Sequence, residues 1–179
     1  HLAYSTQLDW KRQWVEKAMR NLSIPLIDST VPSPLTEGYR NKVTFGIGSN
    51  SLTLNAFKGD PVPVDSCPLM NESCKLALHS FLKTGFPDGI TRLAVRGSAK
   101  TNSSIVELNG NYQNTIPAGW PSAVIRKEGK WCSLKQGEMF EEMGKLIYKI
   151  PYGGFFQVNT VAGEQLVKTI LDRLPEKTE

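Results

Sequence analysis

The sequence predicts an α+β fold, a mainly antiparallel sheet with helices packed on it. Three observations carry this. Apolar residues recur at helical spacing near both ends of the chain and once in the middle. Between those stretches they alternate at period two. Short Gly, Asn and Ser turns join most of the alternating stretches, as hairpins require.

The first helix is expected over the early residues. Thr6 and Asp9 have the spacing of a capping box, and Trp10, Trp14, Val15, Ala18 and Leu22 form an apolar stripe with Lys11, Arg12 and Lys17 off it. Pro25 closes that region, and Pro32 and Pro34 make an extended connection. From Tyr39 the period becomes two. Val43, Phe45 and Ile47 form one strand and Leu52, Leu54 and Ala56 another, joined at residues 48–51. Asn71 can cap a second helix, with Cys74, Ala77, Leu78, Phe81 and Leu82 inward and His79 just off that stripe. Strands are expected at 90–97, 104–109 and 122–127, with 110–121 a loop. Gly129 and Gly137 mark further turns around Trp131. A last strand at 146–151 places Leu146, Tyr148 and Ile150 on one face. A final helix from Thr160 to Pro175 turns Val161, Val167, Ile170, Leu171 and Leu174 inward.

With 179 residues, 40% hydrophobic and 21% charged, the chain can bury a core and is unlike a disordered one. No apolar run approaches the ~20 residues of a membrane span, and no basic start precedes an apolar leader. A cytoplasmic monomer with no membrane partner is expected. The three cysteines, Cys67, Cys74 and Cys132, cannot all pair and none stands in a CxxC motif, so a reduced compartment fits. Sequon matches at Asn21, Asn71 and Asn102 are read as coincidental. The net charge is +4. Between Arg92 and Lys149 the basic residues outnumber the acidic ones nine to five, which fits a basic binding face of the sheet or an ordinary solvated one.

Nucleotide-loop, GxSxG and HExxH patterns are all missing. Glu141 and Glu142 would point to opposite faces of a strand, and read more simply as a solvated turn. Two stretches stand out. Tyr39-Arg40-Asn41-Lys42-Val43-Thr44-Phe45 sets Arg40 and Lys42 on one face at a strand start, which suits contacts to phosphates or base edges. Pro151-Tyr152-Gly153-Gly154-Phe155-Phe156-Gln157-Val158-Asn159-Thr160 gathers aromatics and amides just before a helix, where a base could stack. On the residues alone, a packed strand-to-helix corner is the simpler account of the second stretch.

These stretches, about 115 residues apart, resemble the paired signatures of the S-adenosylmethionine-dependent RNA 5-methyluridine methyltransferases. Residues 1–8 with Lys11 and Val15 resemble the segment just after that family's iron–sulfur motif, and Val64-Asp65-Ser66-Cys67-Pro68 resembles the region of its last cluster cysteine. The resemblance implies methyl transfer from S-adenosylmethionine to C5 of a uridine in rRNA or tRNA. It implies cofactor contact by Gln157, and contacts to RNA or the target nucleotide by Arg40, Lys42 and Phe155. Cys67 would be a ligand of a 4Fe-4S cluster in the parent protein only. Residues 1–150 would be the central domain and 151–179 the entry into a Rossmann-like catalytic domain that lies outside this chain, with the catalytic cysteine and the general base. The chain alone would then be inactive and hold neither iron nor zinc. Two other readings are a stand-alone, non-catalytic RNA-binding module and a scaffold with no ligand.

Overall fold

The computed structural model describes residues 2–22, 27–56 and 58–175. His1, Pro25 and Ser23 of the first sequon lie outside the described residues. The chain forms two compact units, His1–Pro34 and Leu35–Glu179.

The first unit holds α1 (Tyr4–Met19). Its N-cap is Ala3, without a side-chain cap, so the expected capping box is not formed; Thr6 sits inside the helix. Ser33 N–H donates to the Tyr4 hydroxyl (2.7 Å) and the Thr30 hydroxyl to the Leu8 carbonyl (2.9 Å), tying residues 30–33 back to the helix. The expected inward stripe is instead exposed: Trp10, Trp14, Val15 and Leu22 all face solvent. Within this unit the returning segment meets α1 at the Tyr4 hydroxyl and the Leu8 carbonyl, and it leaves the stripe uncovered.

The second unit is built on a seven-stranded sheet. In chain order its elements are β1 (Lys42–Gly48), β2 (Ser51–Leu54), β3 (Val62–Val64), α2 (Glu72–Leu82), β4 (Ile90–Ser98), β5 (Ser103–Gly110), β6 (Ala123–Lys127) and β7 (Lys130–Lys135). A two-stranded ribbon of β8 (Met139–Met143) and β9 (Leu146–Ile150) comes next, then α3 (Thr160–Leu171). Spatial order in the large sheet is β3-β2-β1-β4-β5-β6-β7. All pairs are antiparallel except β5 with β6, which the long loop at 111–122 connects. That loop is not idle: Tyr112 and Trp120 are buried, and Trp120 packs on Phe81 with ring centroids 4.4 Å apart. No described helix is long and apolar enough to cross a membrane.

Helix α2 behaves as its sequence predicts. The Asn71 side chain accepts from Cys74 N–H (2.9 Å), and Cys74, Ala77, Leu78 and Phe81 are buried. They pack with Val43, Phe45, Leu93, Val95, Val106 and Leu108 in the main core. Alternation sends the intervening residues of β1, β4 and β5 to the other face. Part of that face is closed by the ribbon: Ile105 and Val124 from the sheet join Met139 and Ile150 in a second core. The rest is open, and forms a groove of about 430 Å³.

Three further expectations are corrected. Glu141 is not in a solvated turn; it lies in β8 and is 3% exposed. Of the expected β9 face only Ile150 is buried, while Leu146 and Tyr148 are exposed. Helix α3 begins at Thr160 as expected but ends at Leu171, and Val167, Ile170, Leu171 and Leu174 face solvent. Only its N-terminal end is sealed, through Thr160 and Gly163.

Candidate functional site

The two unusual stretches of the sequence meet in space, and Asn41 joins them. It is 2% exposed. Its backbone N–H donates to the Val158 carbonyl (2.9 Å). Its side-chain Nδ2 lies 2.9 Å from Glu141 Oε2, 2.9 Å from the Gln157 carbonyl and 3.0 Å from Thr160 Oγ1. A carboxylate and a carbonyl only accept, so the amide orientation is fixed by its partners. Glu141 also accepts from the Ser98 hydroxyl (2.8 Å). The Asn159 side chain accepts from Ala162 N–H (3.0 Å) and caps α3. Four segments are thus bolted at one buried point: the start of β1, the end of β4, β8 and the entry to α3.

A second clamp holds the turn just before Phe155. Gly153 has φ +69°, and a Cβ there would lie 2.7 Å from the Trp131 indole nitrogen, so both backbone and space call for glycine. Gly153 N–H donates to Glu107 Oε1 (2.8 Å), whose other oxygen accepts from Lys42 Nζ (2.7 Å). Arg96 Nη2 donates to the Gly154 carbonyl (2.7 Å). Arg96 is therefore not part of a basic solvated face; it is 2% exposed. Burial pulls its pKa down, while the Glu107 carboxylate, the Cys74 thiol and Glu141 act the other way. Arg40 Nε, Asn41 Oδ1 and Arg96 Nε are buried with no hydrogen-bond partner among the described residues. Buried orphan groups in a native fold call for an explanation, and a ligand is one.

Phe155 is 83% exposed and the Gln157 side chain is exposed, although its carbonyl is held by Asn41. Arg40 precedes β1, in isolated bridges to Met70 and Asn159, so it sits beside the α3 entry. Lys42 heads β1 with its charge met by Glu107. Cys67 is buried in the main core. No group of three or more His, Cys, Asp or Glu able to hold a metal occurs among the described residues. An iron–sulfur cluster needs four thiolates, and exposed Cys132 on β7 and buried Cys67 and Cys74 do not supply such a cage. Burial pushes the Cys74 thiol up to about 12, so it is no nucleophile at neutral pH. Asn41, Arg96, Glu107 and Glu141 were not legible as site residues. The available signal was a lone ionised residue inside an apolar strand, as in Leu93-Ala94-Val95-Arg96 and Ile105-Val106-Glu107-Leu108.

No family model matches the chain. A tRNA (uracil(54)-C(5))-methyltransferase of Pyrococcus furiosus is 21% identical over 204 aligned residues, covering 95% of this chain and 47% of that protein. The enzyme of the same name from Schizosaccharomyces pombe is 24% identical, covering 97% of this chain and 32% of that protein. In fold, the chain is similar to the crystal structure of Pyrococcus abyssi tRNA (uracil-54, C5)-methyltransferase in complex with S-adenosyl-L-homocysteine. The TM-score is 0.72 at 18% identity, over 98% of this chain and 49% of that one. The chain therefore spans about half or less of the length of these relatives. In sequence and in fold the chain is thus similar to part of these uracil-C5 tRNA methyltransferases.

Proposed function

We propose that this chain is the central part of an S-adenosylmethionine-dependent enzyme that methylates C5 of a uridine in tRNA, and that its 151–160 corner helps form the active site. The relatives' names favour tRNA over rRNA. The observation that carries the reading is the junction at Asn41. It fixes the backbone of residues 157 and 158 from inside while the side chains of Phe155 and Gln157 point out. A corner built only for packing would bury those side chains.

S-adenosylmethionine supplies an electrophilic methyl group. In this reading the Gln157 amide contacts the cofactor and the Phe155 ring packs against a uracil taken out of its stack. The Arg40 guanidinium, with an unpartnered Nε, lies near the target nucleotide. Uracil C5 is a poor nucleophile until a thiolate adds at C6. Cys74 is raised to about 12 by burial, Cys67 is buried and Cys132 lies on β7. The reading therefore assigns that thiolate, and the base that removes the C5 proton, to a catalytic domain beginning near residue 151. The exposed apolar face of α3, including Ile170 and Leu171, supports such a continuation. A 4Fe-4S cluster through Cys67 belongs to this reading only if the parent protein supplies the other thiolates.

The test is product analysis. The full gene product is incubated with labelled S-adenosylmethionine and an unmodified tRNA transcript, and the nucleosides are resolved by mass spectrometry. 5-Methyluridine is expected. Absence of any methylated uridine, or turnover by the 179-residue chain alone, contradicts the reading.

A further inference from the structure

The strand register builds a row of side chains that the Asn41 junction does not use. Arg92 on β4 is paired with Asn109 on β5, Asn109 with Arg126 on β6, and Arg126 with Trp131 on β7. These four line the open groove on the sheet face opposite α2. Adjacent strands lie about 4.8 Å apart, so the two arginines flank Asn109 at roughly 10 Å. The groove's other end is the Gly153-Gly154 turn, next to Phe155. Its Lys42 and Glu107 neutralise each other. Arg92 and Arg126 are exposed and meet no carboxylate or other hydrogen-bond partner among the described residues. On a sheet face where other charges are paired, two free guanidiniums converge on one concave surface. Guanidiniums suit phosphate oxygens, and Asn109 adds an amide for phosphate or sugar.

We infer that this groove binds the phosphodiester backbone of the RNA strand beside the target uridine, with Arg92 and Arg126 as the phosphate contacts. The inference rests on the functional reading above, because that reading puts the target base at Phe155. The row lies about two residues along the strands from Glu107, roughly 7 Å, within reach of a nucleotide flanking that base. The contact is to backbone and sequence-independent, so it positions the strand and leaves the choice of base to the corner at Phe155.

The test measures binding of a fluorescently labelled, unmodified tRNA transcript to the 179-residue chain by anisotropy over a range of salt concentrations. Arg92→Ala/Arg126→Ala is expected to weaken binding roughly tenfold at low salt, and to reduce the slope of log K against log salt by roughly 0.7–0.9 per arginine. Arg92→Lys/Arg126→Lys should restore the slope and only part of the affinity. Lys75→Ala/Lys83→Ala, an equal loss of formal charge on α2 and at its C-cap across the sheet, should change both much less. Both arginines are exposed, so unchanged melting shows that the fold is intact. Equal losses in the arginine and lysine doubles, or unchanged binding in the arginine double, overturn the groove as a site. Failure of the gene product to make 5-methyluridine overturns the functional reading separately.

Discussion

Asn41 has one donor group facing three acceptors and is 2% exposed. Asn41→Ala strands the Glu141 carboxylate and the Gln157 carbonyl. A stability loss of about 2–3 kcal/mol is expected, or roughly 5–10 °C in Tm. Asn41→Asp should be worse at neutral pH, because it sets a second carboxylate against Glu141. Urea melts of both variants check this, and a loss under ~0.5 kcal/mol for the alanine variant removes the junction from the account. The cysteines give an independent test of burial. Cys67 and Cys74 are buried and Cys132 is exposed. A thiol reagent should therefore label one of the three quickly in the native chain and all three in denaturant. Rapid labelling of Cys74 contradicts a buried thiol raised to about 12.

Among the elements, α2 was fully legible and α1 and α3 only partly so. Its cap, stripe and partners all lie within one unit, so periodicity and burial agree. In α1 and α3 periodicity marked an apolar face correctly, but no described part of the same unit covers that face. Periodicity reports that a face wants cover, not what covers it. Helix α3 is nevertheless tied down by Glu164, which accepts from Lys100 Nζ (2.7 Å) and from Gly144 N–H (2.8 Å). The Lys100 hydrogen bond first, and the Gly144 N–H second, hold its carboxyl below the ordinary value of 4.5. A lowered folded-state pKa means that the contribution is complete above about 4.5 and is lost as the pH falls through the folded value. Glu164→Gln should thus lower Tm modestly at neutral pH, and the difference from the parent should close on acidification below about 4.5. A difference that grows in acid reverses the assigned sign. Screening at this partly exposed site keeps the effect small.

For the molecule as a whole, the hairpin pattern and the α+β class were readable because period-two alternation survives wherever one face is buried. The parallel β5–β6 pair was not readable, since it depends on how the 111–122 loop folds over Phe81. The two unusual stretches were visible in the sequence, but their meeting through Asn41, 116 residues from Gln157, was not. Nor was the burial of Arg96 and Glu107 between them, because a lone charge in an apolar strand marks an unusual position but not which side of the sheet is covered. The central claim is that this corner is held rigid so that Gln157 can serve a ligand. The most direct measurement applies Gln157→Ala to two quantities, S-adenosylmethionine affinity of the full gene product and the melting temperature of this chain. The account predicts a roughly ten- to hundredfold loss of affinity, as for one hydrogen bond to a charged ligand, with melting shifted by no more than about 2 °C. A fall of many degrees in melting with cofactor affinity unchanged would contradict it.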